Sequence, residues 1–185
     1  MVQVREALTC IVDDAGRASD VVDRIGSLVK KTPPRKEVVD LNAAILEVTA
    51  LTQGEAVKTG VTVGTQLAGE LPRIQCDRVQ LQQVMLNLIV NAIQSMSGVE
   101  DGNRELHIST SIGPEGVCVA VRDTGVGLRP ESLPRLFEPF YTTKPDGMGM
   151  GLSICRSIIE AHGGRLWVIP CEPRGALFQF TIPAT

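Results

Sequence analysis

From Leu8 onward the apolar residues recur at alternating steps of three and four: Leu8, Ile11, Ala15, Ala18, Val22, Ile25 and Val29. That spacing places them on one narrow seam of a long helix, the stripe of a two-stranded or bundle segment rather than the broader face of a helix buried in its own domain. The pattern stops at Lys31-Thr32-Pro33-Pro34, where tandem prolines remove backbone donors and force an extended link. A boundary is therefore expected within residues 32 to 38, dividing residues 1–33 from a second domain, 34–185.

Beyond the link the pattern changes character. Asp40 to Val57 reads as a helix capped by Asp40 or Asn42, and Val61 to Thr65 as a strand. Asp77 caps a second long helix, Arg78 to Met96. Two alternating segments, Glu105 to Ile112 and Val117 to Arg122, read as strands joined through the turn Gly113-Pro114-Glu115-Gly116. Residues 123 to 151 are rich in Gly and Pro and read as a long loop. Ser153 to Ala161 is helical, His162-Gly163-Gly164 ends it, and the strands Leu166 to Ile169 and Ala176 to Ile182 close the chain. The fold class is α+β: a two-layer α/β sandwich, with helices on one face of a mixed, mostly antiparallel sheet, preceded by a long N-terminal helix.

Composition narrows the function. The 185 residues carry 18 Lys and Arg against 21 Asp and Glu with no dense cationic run, and only 3% are aromatic, which argues against a nucleic-acid partner. The five cysteines, Cys10, Cys76, Cys118, Cys155 and Cys171, are odd in number and never paired as Cys-x-x-Cys, so they read as small hydrophobes rather than a zinc or disulfide framework. No stretch approaches a membrane span and the start lacks a signal-peptide core. A cytoplasmic location without direct membrane contact is expected, compatible with the inner portion of a longer membrane sensor.

Three groups of residues carry chemistry. In the second helix Gln83, Asn87 and Asn91 are spaced i, i+4, i+8 and form a polar stripe between apolar neighbours. Half-hidden carboxamides need a network, water or a ligand, and a carboxamide oxygen suits Mg²⁺. Next, Asp123-Thr124-Gly125-Val126-Gly127 places a carboxylate at a strand end before a turn with two glycines, where a flat group can approach the backbone. A carboxylate accepts from an exocyclic amine, which favours adenine over guanine. Last, Gly147, Gly149 and Gly151 alternate immediately before a helix, where free backbone amides make an anion site. The Walker ending Gly-Lys-Ser/Thr is absent. Between the last two groups lies Leu136-Phe137-Glu138-Pro139-Phe140-Tyr141-Thr142-Thr143-Lys144, with aromatics to pin a lid and a lysine to reach a phosphate.

In order, spacing and context these elements resemble the N, G1, F and G2 boxes of the Bergerat-type ATP-binding fold, specifically the catalytic domain of bacterial sensor histidine kinases, over roughly residues 36 to 185. The resemblance implies ATP and Mg²⁺ as cofactors and a lid over about Arg129 to Met148. By motif position it implies Asn91 as the Mg²⁺ ligand with Asn87 beside it, and Asp123 as the adenine-amine acceptor. Gly125 and Gly127 make room for the base, and Lys144 is a lid contact to phosphate. Gly147, Gly149, Gly151 and Leu152 form the phosphate-side turn, and Thr181 is a hydroxyl beside Asp123. Asn87 stands where hydrolytic relatives carry a Glu as general base, and a carboxamide takes no proton at neutral pH, so transfer to an acceptor is favoured over hydrolysis.

The N-terminal helix resembles the second helix of a dimerisation and phosphoacceptor hairpin, two of which form a four-helix bundle. The only histidines, His107 and His162, lack a phosphoacceptor context and read as structural. The resemblance therefore implies a chain that binds ATP without phosphorylating itself. It also implies a phosphoacceptor His helix in the full-length chain or a dimer partner, a response-regulator Asp as downstream acceptor, and a homodimer at full length. Two alternatives are a serine kinase of the anti-sigma-factor type and a nucleotide-gated docking module without catalysis.

Overall fold

The computed structural model describes residues 36–99, 102–144 and 147–184. The expected seam helix, the division at residue 33 and Cys10 lie outside the described residues. All described residues fall within one compact unit, Pro34–Thr185.

The first strand, β1 (Glu37–Val39), leads into helix α1 (Leu41–Lys58). Asp40 caps this helix, its carboxylate accepting from the Ala43 amide at 3.0 Å, which satisfies one of the donors a helix start leaves open. Strands β2 (Thr62–Gln66) and β3 (Ile74–Cys76) follow, then helix α2 (Arg78–Met96). Asp77 caps α2 by accepting from the Gln80 amide at 3.1 Å. Strands β4 (Glu105–Gly113) and β5 (Gly116–Asp123) form a hairpin, and the long loop after β5 contains a short 3₁₀ turn, Pro130–Arg135. Helix α3 (Gly151–Ala161) and strands β6 (Arg165–Pro170) and β7 (Ala176–Ile182) complete the unit.

The main sheet has the order β2-β4-β5-β7-β6, parallel between β2 and β4 and antiparallel elsewhere. This is the mixed, mostly antiparallel sheet that the sequence predicts. A second, two-stranded sheet pairs β1 with β3, Glu37 opposite Cys76 and Val39 opposite Ile74. It is not predicted, because three residues are too few to show a period, and it places a strand at the end of the expected link. Helix α3 begins at Gly151 rather than Ser153, and β5 runs on to Asp123.

The period-two rows facing the helices are Leu106, Ile108 and Thr110 on β4, Val117, Val119 and Val121 on β5, and Phe178, Phe180 and Ile182 on β7, all buried. Helix α2 buries Leu81, Val84, Met85, Leu88, Ile89, Ala92, Ile93 and Met96, a face too broad for one neighbour. It packs against α1, α3 and β5. Each Leu, Val, Ile and Met on that face is worth about 1.5–3 kcal/mol of burial, so α2 is the spine of the unit. Its start is tied to the end of α3 by buried His162, whose Nε2 accepts from the Asp77 amide at 2.9 Å while Nδ1 lies 2.8 Å from the Ile158 carbonyl. Arg104 ties the far end, donating to the Val99 carbonyl at 2.7 and 3.1 Å and to the Thr59 carbonyl at 2.6 Å. Cys76 and Cys155 are buried in the core, and burial pushes the Cys76 thiol up to about 11, with Asp77 and Glu37 adding to it.

Candidate active site

The row Val117, Val119, Val121 continues with Asp123, so β5 carries a carboxylate where the alternation calls for another apolar side chain. It is only 2% exposed. Burial pushes its carboxyl above the ordinary carboxylate range, while the Gly125 amide, the Ser95 hydroxyl, the Ala176 amide and the charge of Lys144 pull the other way. The Gly125 N–H donates to Oδ1 at 2.8 Å and the Ser95 hydroxyl to the same oxygen at 3.0 Å.

The glycines of this turn are there for space. A Cβ on Gly125 would run into the Ser95 hydroxyl and come within 2.8 Å of Asp123 Oδ1. Gly127 holds φ +79°, and a Cβ there would lie 3.3 Å from the Gly175 amide nitrogen. Gly175 in turn packs on the Asp123 carbonyl closely enough to exclude any side chain.

The polar stripe of α2 faces the loop after β5. Asn87 and Asn91 are half-buried, and Lys144 reaches across to donate to Asn91 Oδ1 at 3.0 Å and to Gln94 Oε1 at 2.7 Å. Burial pushes the Lys144 ammonium below the ordinary lysine range, and the negative charge of Asp123 opposes that shift. Gly149 has φ +68° and packs directly on the Phe140–Tyr141 backbone, and Gly147 packs on the Thr142 side chain. Gly151 opens α3 beside Asn87, whose Oδ1 would lie 3.8 Å from a Cβ there. No side chain caps this helix and no acidic residue lies in its first turn, which leaves the amides around Gly151 and Leu152 to an anion.

Two of the aromatics in this loop are pinned. Arg156 lies over the Phe137 ring at 5.8 Å and Arg135 over Tyr141 at 4.6 Å. Phe140 is not pinned: it is 74% exposed and holds φ 66°, a conformation rare for a bulky residue.

The structure thus brings Asn87, Asn91, Lys144, Gly147, Gly149, Gly151 and Leu152 to one region, with Asp123, Gly125 and Gly127 at the end of α2. Thr181 is not among them, which corrects the sequence expectation. Thr181 pairs with Cys118, five residues along β5 from Asp123, or roughly 17 Å at strand rise. Its hydroxyl accepts instead from the Arg165 amide at 3.3 Å. The antiparallel register brings the start of β7, Ala176, to Asp123. Sequence reasoning also missed Ser95 and Gln94. Ser95 continues the i+4 stripe through Asn91 and was within reach of that logic, whereas nothing in the pattern singles out Gln94.

Comparison with known proteins identifies the family. Residues 76–185 match the family described as histidine kinase-, DNA gyrase B-, and HSP90-like ATPase. The chain is 34% identical over 187 residues to the sensor histidine kinase TmoS of Ectopseudomonas mendocina, covering all of this chain and 19% of that protein. It is 39% identical over 183 residues to the sensor protein FixL of Bradyrhizobium diazoefficiens, covering 98% of this chain and 36% of FixL. The chain therefore spans between about a fifth and about a third of these curated relatives. The catalytic domain of the histidine kinase ThkA superimposes with a TM-score of 0.73 at 34% identity, over 82% of this chain and 97% of that domain. ThkA in complex with the response regulator TrrA gives 0.78 at 31% identity, over 95% and 49%. No described helix is long and apolar enough to cross a membrane.

Proposed function

Because the chain belongs to the histidine kinase-, DNA gyrase B- and HSP90-like ATPase family, we propose that it is the ATP-binding catalytic part of a sensor histidine kinase. It passes the γ-phosphoryl group of ATP to a histidine on a helix outside the compact unit. The observation that carries this reading is the gathering of a buried strand-end carboxylate, Asp123, and a loop lysine, Lys144, against α2, where Ser95 meets the first and Asn91 of the carboxamide stripe meets the second. One end suits an exocyclic amine and the other a polyphosphate.

Adenine lies against Gly125 and Gly127, its amine donating to Asp123. The phosphates run toward Asn87 and the turn Gly147–Gly151, where the amides at the start of α3 and the Lys144 ammonium offset their charge. Magnesium fits the donor set. Asn91 Oδ1 already accepts from a cation, the Lys144 ammonium. An ion that takes most of its shell from phosphate and water needs few protein ligands. When bound, magnesium supplies charge neutralisation on the phosphates. Asn91 would hold it, with Asn87 next to it along the stripe.

Asn87 has no basic oxygen to deprotonate water, which supports transfer over hydrolysis. The acceptor imidazole attacks the γ-phosphorus in line, the bond to the β-phosphate bridging oxygen breaks, and ADP leaves. The acceptor helix belongs to the full-length homodimer, and the phosphoryl group then moves to an aspartate of a response regulator, a partner class that the ThkA complex with TrrA supports. The proposed division is residues 1–33 as part of the dimerisation hairpin and 34–185 as the catalytic domain, on the cytoplasmic side where ATP is available.

The test is calorimetric titration with ATP, ADP and GTP, with and without Mg²⁺, of this chain and Asp123→Ala. Adenine nucleotides should bind and GTP should not, with the preference lost in the variant. Equal ATP and GTP affinity in the parent chain would overturn the assignment.

A further inference from the structure

Ser95 sits one turn beyond Asn91 on α2 and touches both the end of β5 and the turn that follows it. Its hydroxyl donates to Asp123 Oδ1 at 3.0 Å and its carbonyl accepts from the Val126 amide at 3.2 Å. The hydroxyl has one proton and two acceptors in reach, since the Ala92 carbonyl is 2.8 Å away. An ionised carboxylate is the stronger acceptor of the two.

The terminal torsion of an aspartate is broad and roughly two-fold, so burial alone does not fix which way its oxygens face. Gly125 and Ser95 both donate to Oδ1 and the Ala176 amide adds a third bond to the carboxylate. A carboxylate has about four acceptor positions, so these donors set its rotation and still leave capacity for one ligand N–H. Gly125 makes this possible, because a Cβ there would occupy the space of the Ser95 hydroxyl.

We infer that Ser95 is a positioning residue for base recognition, acting through Asp123 by holding the carboxylate in the rotation that meets an exocyclic amine. The inference rests on the assignment of Asp123 made above. It gives α2 two tasks: polyphosphate and metal at Asn87 and Asn91, and base selectivity one turn later.

Affinity for ATP and for inosine triphosphate separates this from a packing role. The two share sugar and phosphates, but inosine carries a carbonyl where adenine has its amine. The comparison uses the 185-residue chain, Ser95→Ala, Asp123→Ala and the double variant. Alanine is smaller and a better helix former than serine, so the fold is retained. Ser95→Ala should weaken ATP about fivefold, the loss of one hydrogen bond to a charged group with two others still in place, while inosine triphosphate binding does not fall. In the Asp123→Ala background the same substitution should leave the ratio of the two affinities unchanged. Equal loss of both nucleotides in Ser95→Ala, or no change in either, would overturn the inference and leave Asp123 untouched. A parent chain that does not prefer ATP would overturn the assignment of Asp123 itself.

Discussion

A buried carboxylate whose charge is useful only when a ligand arrives leaves a mark on stability. Burial raises the Asp123 carboxyl above its ordinary value of 3.8, so the folded chain binds that proton more tightly than the unfolded chain. For a group shifted in this direction, stability falls as pH rises from the unfolded value through the folded one, and at neutral pH the ionised side chain is carried at a cost. Asp123→Asn keeps an oxygen for the Gly125 amide and the Ser95 hydroxyl but sheds the charge. Thermal unfolding at pH 7 without nucleotide should therefore occur at a higher temperature in the variant, the difference shrinking toward about pH 4, while calorimetry shows weaker ATP binding. Stabilisation and lost binding from one substitution is the pattern expected of a functional residue rather than a packing residue. Lys144 makes the complementary case. Its ammonium rests on Asn91 and Gln94, and crowding by a second cation at Asn91 would drive it toward phosphate. Lys144→Met should lower ATP affinity about tenfold, as expected for one charge-assisted contact. Unchanged affinity by calorimetry would remove Lys144 from the site.

At the scale of elements, α2 does most of the organising, and its legibility in the sequence has a physical reason. Its start is written in Asp77 and its face in the spacing of Leu81, Val84, Met85 and Leu88, so its bounds are predicted as observed. The strands β1 and β3 are too short to carry any period. Thr181 went to the wrong end of the sheet because a motif position says nothing about register. Once β5 and β7 pair antiparallel, the end of one strand must lie by the start of the other. The contact of Lys144 with Asn91 depends on the path of a long loop, which no local pattern encodes. Two substitutions separate the structural ties of α2 from its working face. His162→Ala removes the Nε2 acceptor that the half-buried Asp77 amide uses and should cost about 1 kcal/mol in urea unfolding with ATP affinity nearly unchanged. Gly149→Ala forces a Cβ at φ +68° into the Phe140–Tyr141 backbone. The clash is present without nucleotide, so it should cost about 1–2 kcal/mol of backbone strain in urea unfolding and, unlike His162→Ala, also weaken ATP binding several-fold by displacing the loop that carries Lys144.

For the molecule as a whole, the question is where the phosphoryl group goes. Every residue of the site lies between Asn87 and Ala176, inside the unit Pro34–Thr185, and the ThkA catalytic domain is a separate body of nearly the same extent. A chain shortened to residues 34–185 should therefore bind ATP within about twofold of the whole, since the affinity is set by contacts that all remain. Neither histidine is placed to accept phosphate. His162 is buried with both ring nitrogens engaged by backbone, and His107 is exposed on the sheet face opposite the row that ends in Asp123. Incubation with ATP labelled at the γ-phosphate should leave the chain unlabelled. Addition of a separately made helical hairpin carrying a histidine should then produce acid-labile label on the hairpin, at a rate that falls in Asn91→Ala and Asp123→Ala. Acid-stable label would mark a hydroxyl acceptor and turn the reading toward a serine kinase of the same fold. Tight ATP binding with no label on any hairpin would instead favour a docking surface gated by nucleotide, because the same contacts that position a phosphoryl group for attack also suffice to order a lid.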